Sequence, residues 1–163
     1  DRLRSRGLGD VYKRQGMALA GKRDHKDYMV YAVVGDGEAD EGQIWEAVMA
    51  AYRYHLDNLV VIIDNNGLQI DGTTDEIMPQ LDLTKKFDAF GYDTYEIDGH
   101  NMEQIMETFD KIHAAKDGRP KFINAHTVKG KGVSYMENQL AWHGMAPNDE
   151  QYQQAMRELE EGI

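Results

Sequence analysis

The spacing of apolar residues changes repeatedly along the chain, which predicts an alternation of strands and helices. Nearly continuous apolar runs over Tyr28–Val34 and Leu59–Asp64 are typical of strands that are buried on both faces. Between these two runs, apolar residues recur at helical spacing and predict a helix over Glu41–His55. The same patterns predict strands at Tyr92–Ile97 and Lys121–Thr127, helices at Met17–Lys22, Leu83–Phe90, Met102 to the Asp117-Gly118 turn, and Asp149–Glu160, and a long loop at Val128–Asn148.

This alternation predicts an α/β fold with a doubly wound, mostly parallel sheet and helices on both faces. The chain has 163 residues, of which 41% are hydrophobic and 29% are charged. Those values are typical of one globular domain with a substantial core. In sheets of this kind, ligands bind beyond the carboxyl ends of the strands, so we expect the functional site at that edge.

The first fifteen residues differ from the rest in composition. Asp1–Gln15 is rich in arginine and lysine and has no apolar periodicity. It resembles a translated adapter stretch, so we interpret it as a non-native extension and expect it to make few core contacts. The alternative is a genuine basic N-terminal arm. The native domain is then predicted to span residues 16–163.

Charge and composition exclude several classes of function. The net charge of −11 argues against non-specific nucleic-acid binding. Apolar runs of about seven residues are too short to span a membrane. The absence of cysteine excludes a disulfide framework and a thiolate metal site. No secretory pattern is present, so we expect a cytoplasmic protein.

Polar and glycine residues follow the first two strands. The turn Gly35–Gly37 ends the first strand, and Asp64–Gly67 ends the second. Because parallel strands place their carboxyl ends side by side, we expect Asp36 and Asn66 to face each other. Carboxylate and amide oxygens are hard ligands that suit Mg²⁺. A helix starting just after Gly37 would direct free N–H groups at an anion. Together these features predict a site for a Mg²⁺–diphosphate cofactor.

The same residues carry a family resemblance. The turn Gly35–Gly37, a spacer and the pair Asn65-Asn66 resemble the thiamine diphosphate signature. The surrounding residues resemble transketolases, in order from Gly16 to about Asn148. The matching sequence segments are Gly35–Ala47, Leu56–Leu59, Asn66–Gly72, Ile97–His100, Thr127–Gly132 and Trp142–Gly144. The resemblance extends to the separate N-terminal subunit of split, two-gene transketolases. It implies that residues 16–163 form an N-terminally truncated pyrophosphate-binding domain.

The resemblance also implies the ligands of the cofactor. Asp36 and Asn66 would bind Mg²⁺ through their side chains and Leu68 through its carbonyl oxygen, with Ca²⁺ or Mn²⁺ as replacements. Gly35 and Gly37 would form the diphosphate-binding turn, in which the N–H of Gly37 meets the diphosphate.

Four further residues receive roles from the resemblance. Ile70 would line the thiazolium pocket, and Lys129 would lie near the cofactor phosphates. His143 would contact both diphosphate and substrate, as a catalytic residue. Glu41 would belong to a carboxylate relay at a dimer interface, the second catalytic role.

The implied activity is transfer of a two-carbon ketol unit from a ketose phosphate to an aldose phosphate. Thiamine diphosphate would bind between this domain and a pyrimidine-binding subunit or domain, in a homo- or hetero-oligomer. The chain alone is therefore expected to be inactive. Two alternatives remain open at this point. One is another thiamine diphosphate enzyme, such as deoxyxylulose-phosphate synthase or a 2-oxo acid dehydrogenase subunit, and the other is a non-catalytic nucleotide-binding α/β module.

Overall fold

The structure, a computed structural model, describes residues 10–162. Within this range, the strands are β1 (Val30–Gly35), β2 (Leu59–Asn65), β3 (Asp93–Asp98) and β4 (Lys121–His126). The helices are α1 (Asp10–Arg23), α2 (Gly42–Arg53), α3 (Thr74–Ile77), α4 (Leu83–Ala89), α5 (Met102–Ala114) and α6 (Asp149–Glu161). The strands form one sheet in the order β1-β2-β4-β3, and every neighbouring pair is parallel. The predicted α/β class with a parallel sheet is confirmed.

Helices cover both faces of this sheet, as a doubly wound fold requires. On one face, α1, α2 and α4 pack against the strands, and Phe87 stacks on Phe122 with ring centroids 3.7 Å apart. On the other face, Ile112 of α5 is buried in a cluster with Val60 and Ile123. Side chains of β2 therefore enter both clusters, which explains the continuous apolar run of this strand.

The strand register places three chain segments at one edge of the sheet. Gly35 at the end of β1 lies opposite Asp64 in β2, and Asp64 lies opposite Ala125 in β4. The turns that follow β1, β2 and β4 are therefore neighbours, although they are far apart in sequence.

No helix among residues 10–162 is long and apolar enough to cross a membrane.

The first helix begins earlier than the sequence predicts. α1 starts at Asp10 instead of Met17, and Val11 is fully buried in the main core cluster. The expectation of few core contacts is therefore wrong for residues 11–15. Residues 1–9 lie outside the described range, and the origin of the whole segment stays a prediction.

A group of charged residues lies at the opposite edge of the sheet, where β3 and β4 begin. Lys121 is fully buried, and its Nζ donates to Asp117 Oδ1 at 2.6 Å and to Asp93 Oδ2 at 3.3 Å. Burial acts to raise the pKa of Asp117, but hydrogen bonds from Lys121 and Arg119 outweigh it and hold that pKa well below its usual range. These ion pairs compensate the buried ammonium group.

Candidate functional site

Asp36 joins the turns that follow β1 and β2. Its side chain is almost completely buried, with 2% of the residue exposed. Oδ1 accepts from the N–H of Gly37 at 2.8 Å, and Oδ2 accepts from the N–H of Gly67 at 2.6 Å. Burial raises the pKa of Asp36 above its usual value, and the charge of Asp64 adds to the rise, while the two backbone hydrogen bonds oppose it. A cation beside this carboxylate would stabilise its charged form.

The side chain of Asn66 is held in place by hydrogen bonds at both ends. Its Oδ1 accepts from the N–H of Leu68 at 3.1 Å, and its Nδ2 donates to Asp64 Oδ1 at 3.2 Å. The hydroxyl of Thr127, which follows β4, also donates to Asp64 Oδ1. The carboxylate of Asp64 therefore connects Asn66, after β2, with Thr127, after β4. Sequence reasoning did not assign Asp64 or Thr127 to the site.

A short 3-10 helix, Gly37–Asp40, separates Asp36 from α2. α2 begins at Gly42, one residue after the predicted start at Glu41, so it does not follow Gly37 directly. The N–H of Gly37, which the resemblance directs at a diphosphate, donates to the side chain of Asp36. Glu41 immediately precedes α2, and its Oε2 accepts from Gln43 Nε2 at 2.8 Å. The relay role that the resemblance implies for Glu41 stays a prediction.

Close packing in this turn requires glycine at position 37. A Cβ atom on Gly37 would lie 2.9 Å from Cγ of Gln69, in the loop that follows β2. The N–H of Gly35 donates to Glu38 Oε2 at 2.8 Å, which closes the turn from the other side. Ile70, two residues beyond Leu68, is 70% exposed. The loop therefore lies directly against the Asp36 turn and leaves one apolar side chain free for contact.

The loop after β4 brings together the two basic residues singled out from the sequence. Lys129 Nζ lies 3.2 Å from His143 Nδ1. Since an ammonium group only donates, Nδ1 is the acceptor of this hydrogen bond, which requires the tautomer with its proton on Nε2. The N–H of Thr127 donates to the carbonyl of Asn65 at 3.1 Å, which anchors the start of the loop at the same sheet edge as Asp36.

Aromatic packing supports the second half of this loop. The rings of Tyr135 and Trp142 have centroids 5.0 Å apart, and Trp142 directly precedes His143. The hydroxyl of Tyr135 donates to the carbonyl of Gln151 in α6 at 2.7 Å. The C-terminal helix thus fixes the part of the loop that carries His143.

The donor set around Asp36 fits a hard cation. Both carboxylate oxygens accept one N–H, which leaves lone pairs free on each. Amide and carbonyl oxygens are available nearby at Asn66 and Leu68. No group of three or more His, Cys, Asp or Glu suited to a metal occurs within residues 10–162. A site here would therefore combine one carboxylate with neutral oxygens, and anionic oxygens of a ligand would complete it.

Comparison with known proteins extends this picture. The family described as "Transketolase, thiamine diphosphate binding domain" matches residues 4–160. The chain is 49% identical over 148 residues to one subunit of the apulose-4-phosphate transketolase of Phocaeicola vulgatus, covering 91% of this chain and 52% of that protein. It is 46% identical over 145 residues to the 6-deoxy-6-sulfo-D-fructose transketolase subunit SqwG of a Clostridium species, covering 89% of this chain and 52% of that protein. The chain thus spans about half the length of these curated relatives.

Solved structures show the same fold. Transketolase from Campylobacter jejuni superimposes with a TM-score of 0.85 at 27% sequence identity, over 92% of this chain and 24% of that one.

Proposed function

The chain belongs to the family of transketolase thiamine diphosphate-binding domains, and we propose that it holds the diphosphate end of thiamine diphosphate through a divalent metal ion, Mg²⁺ in the first place. The observation that carries this proposal is the buried Asp36 carboxylate, which accepts the N–H groups of Gly37 and Gly67. A carboxylate in this position has a fixed direction and little hydration. It is therefore preorganised for a cation.

Each site residue has a distinct proposed role. Asp36 supplies the charged metal ligand, Asn66 an amide oxygen and Leu68 a carbonyl oxygen. Lys129 adds positive charge toward the phosphates, which is needed because the chain as a whole carries a charge of −11. Ile70 offers apolar contact area to the thiazolium ring.

The proposed reaction is transfer of a two-carbon ketol unit between sugars. When bound, thiamine diphosphate supplies a nucleophilic thiazolium carbon and an electron sink. The residues of this chain bind and orient the cofactor and the substrate, and they move protons. With Nδ1 accepting from Lys129, the Nε2–H of His143 is a donor available to a substrate oxygen. We place Glu41 in a relay toward the partner chain.

A pyrimidine-binding subunit or domain is the proposed partner. Two curated relatives are named as subunits of transketolases, and the chain covers about half of each. On α2, Met49 and Tyr52 are 51% and 45% exposed, which provides apolar surface for such a partner. This chain supplies only the diphosphate half of the site, so we expect it to transfer no ketol unit by itself.

Substrates with an anionic group are the favoured class. The names of the two relatives specify a sugar phosphate in one case and a sulfo sugar in the other. We therefore propose a ketose donor that carries a phosphate or sulfonate, with an aldose phosphate as acceptor.

The test has two arms. Thermal unfolding of the chain should respond to thiamine diphosphate with Mg²⁺ and not to ATP or FMN, although the shift will be small because half of the cofactor stays exposed. The complete subunit, combined with its partner, should transfer ketol units only when metal and cofactor are both present. Stabilisation by ATP or FMN in place of thiamine diphosphate would contradict the proposal.

A further inference from the structure

A buried glutamine from the segment after β2 reaches the turn that carries Asp36. Gln80 is only 7% exposed. Its Nε2 donates to the backbone oxygen of Asp36 and also to Asp40 Oδ1, the latter at 3.0 Å. Both N–H bonds of one amide nitrogen are therefore directed at the same short turn. Asp36 in this turn lies 44 positions before Gln80 in sequence.

A second glutamine completes the arrangement. Gln69 Nε2 donates to Asp40 Oδ2 at 2.9 Å, so each oxygen of the Asp40 carboxylate accepts from a different glutamine. The carbonyl of Asp36 also accepts from the N–H of Ala39 at 3.0 Å, which is the hydrogen bond that closes the 3-10 helix. Gln80 therefore contacts both the start and the end of that helix.

Two hydrogen bonds connect the segments that carry the proposed metal ligands, from Gly67 to Asp36 and from Gln69 to Asp40. Gln80, which lies between α3 and α4, holds the acceptors of both bonds in place. Asp36 lies in the turn after β1, whereas Asn66 and Leu68 lie in the loop after β2. A metal ion that binds both segments loses affinity when they move relative to each other, because the binding free energy must then include the cost of ordering them.

We propose that Gln80 is a positioning residue for the metal site, which fixes the Asp36 turn against the loop after β2. This inference rests on the proposed function. The chemistry explains the residue type, since the amide nitrogen is an uncharged group that offers one N–H to a carbonyl and one to a carboxylate at once. A glutamate at this position would place a second carboxylate beside Asp40 and donate to neither acceptor.

The first experiment measures the turn itself, without any ligand. In the variant Gln80→Ala, amide exchange measured by NMR should become about five- to tenfold faster at Ala39 and Gly67, because a hydrogen bond that supports Asp36 is lost. Gln80→Glu is nearly isosteric and should give the same result, which separates loss of the hydrogen bonds from loss of packing. Gln15→Ala is the matched control, since Gln15 in α1 is 8% exposed and belongs to a different segment.

The second experiment measures the consequence for the metal. In the complete subunit combined with its partner, Gln80→Ala should raise the Mg²⁺ concentration needed for half-maximal activity about five- to tenfold. At saturating Mg²⁺, kcat should stay within about twofold of wild type, because the metal then restores the geometry. A residue with only a structural role would instead lower the melting temperature or the active fraction and leave the Mg²⁺ dependence unchanged.

A paired substitution sharpens the assignment. D40N/Q80E can restore a hydrogen bond between positions 40 and 80, but it leaves the carbonyl of Asp36 without its side-chain donor. Its Mg²⁺ dependence should therefore lie between wild type and Gln80→Glu. Full recovery would show that the contact with Asp36 contributes nothing and would overturn that part of the proposal.

Two results would overturn the inference as a whole. One is unchanged exchange at Ala39 and Gly67 in both single variants, and the other is an unchanged Mg²⁺ dependence with normal folding. Wild-type enzyme that binds thiamine diphosphate without any divalent metal would instead contradict the proposed function. The exchange rates would then still decide whether Gln80 holds the Asp36 turn.

Discussion

The N–H of Gly67 donates to Asp36 Oδ2 at 2.6 Å and connects residues that are 31 positions apart. This hydrogen bond gives the Asp36 carboxylate two functions, because it joins two turns of the fold and also directs the proposed metal ligand. Within residues 10–162, both hydrogen bonds that this buried carboxylate accepts come from backbone N–H groups, and it forms no ion pair. Its arrangement favours binding a metal ion over a purely structural ion pair.

Substitution of Asp36 should separate these two functions. Asp36→Ala leaves the N–H groups of Gly37 and Gly67 without side-chain acceptors and should lower the free energy of unfolding by about 1–3 kcal/mol. Asp36→Asn keeps one acceptor, so it should destabilise the fold less while it still removes the charge that binds the metal. Urea denaturation and calorimetric titration with Mg²⁺ and thiamine diphosphate measure the two effects.

Asp110→Asn is the control for this prediction. Asp110 is exposed on α5, away from the turns after β1 and β2, and its substitution should change neither quantity. Normal metal-dependent cofactor binding by the reconstituted Asp36→Asn enzyme would contradict the assignment of Asp36 as a ligand.

The pair Lys129–His143 should act as one unit. Lys129→Ala removes positive charge near the proposed diphosphate site and should raise the cofactor concentration needed for half-maximal activity about tenfold, as expected for one hydrogen bond to a charged group. His143→Ala should lower kcat/KM by about 10- to 100-fold. Because the two side chains are 3.2 Å apart, the effects in the double variant should be less than additive.

Lys131 provides a matched comparison for Lys129. It is an exposed lysine two residues further along the same loop. Lys131→Ala should change neither the cofactor concentration needed for half-maximal activity nor kcat/KM. Strict additivity of the Lys129 and His143 effects would argue that the pair does not act together in the working enzyme.

The ion pairs around Lys121 should support stability at neutral pH. Because the pKa of Asp117 in the fold lies below its value in the unfolded chain, its contribution is present above the unfolded pKa and is lost as the pH falls. Asp117→Asn should therefore destabilise the protein at pH 7 by about 1 kcal/mol or less, given that Asp117 is partly exposed to solvent. The difference from wild type should shrink below about pH 4.

Denaturant unfolding of both proteins at several pH values tests this prediction. Lys121→Ala serves as a second variant and should destabilise more strongly, by about 1–3 kcal/mol, because it removes the fully buried partner of Asp93 and Asp117 and leaves only the half-exposed Arg119 to pair with both. A constant effect of Asp117→Asn from acidic to neutral pH would show that its charge is not responsible.

The first described helix offers a direct test of the N-terminal segment. Val11 is fully buried, so Val11→Asp should lower the free energy of unfolding by about 2–4 kcal/mol. Tyr12→Asp, at a neighbouring side chain that is 67% exposed, should have little effect. Equal and small effects at both positions would instead support the interpretation of Asp1–Gln15 as an extension without core contacts.

Asp36 and Asn66 could be placed together from the sequence because they follow the ends of neighbouring strands, whereas the other candidate site residues were named only through the family resemblance. A parallel sheet brings such ends together, so Asp36 and Asn66 could be placed at one edge from the apolar runs before them. The contacts of Gln80 could not be predicted in this way. Gln80 lies in a segment without regular structure, and no periodic pattern indicates which turn its amide approaches.

The sequence by itself determined the chain order of the strands and of the helices other than α3, the parallel sheet and the edge that carries the site, because these depend on local apolar spacing and on chain connectivity. The tertiary structure decided the rest through contacts between distant segments. It placed a 3-10 helix before α2, in which the side chain of Asp36 accepts the first N–H and Gln80 donates to the carbonyl of Asp36. It also extended α1 to Asp10, because a core cluster built from several elements buries Val11.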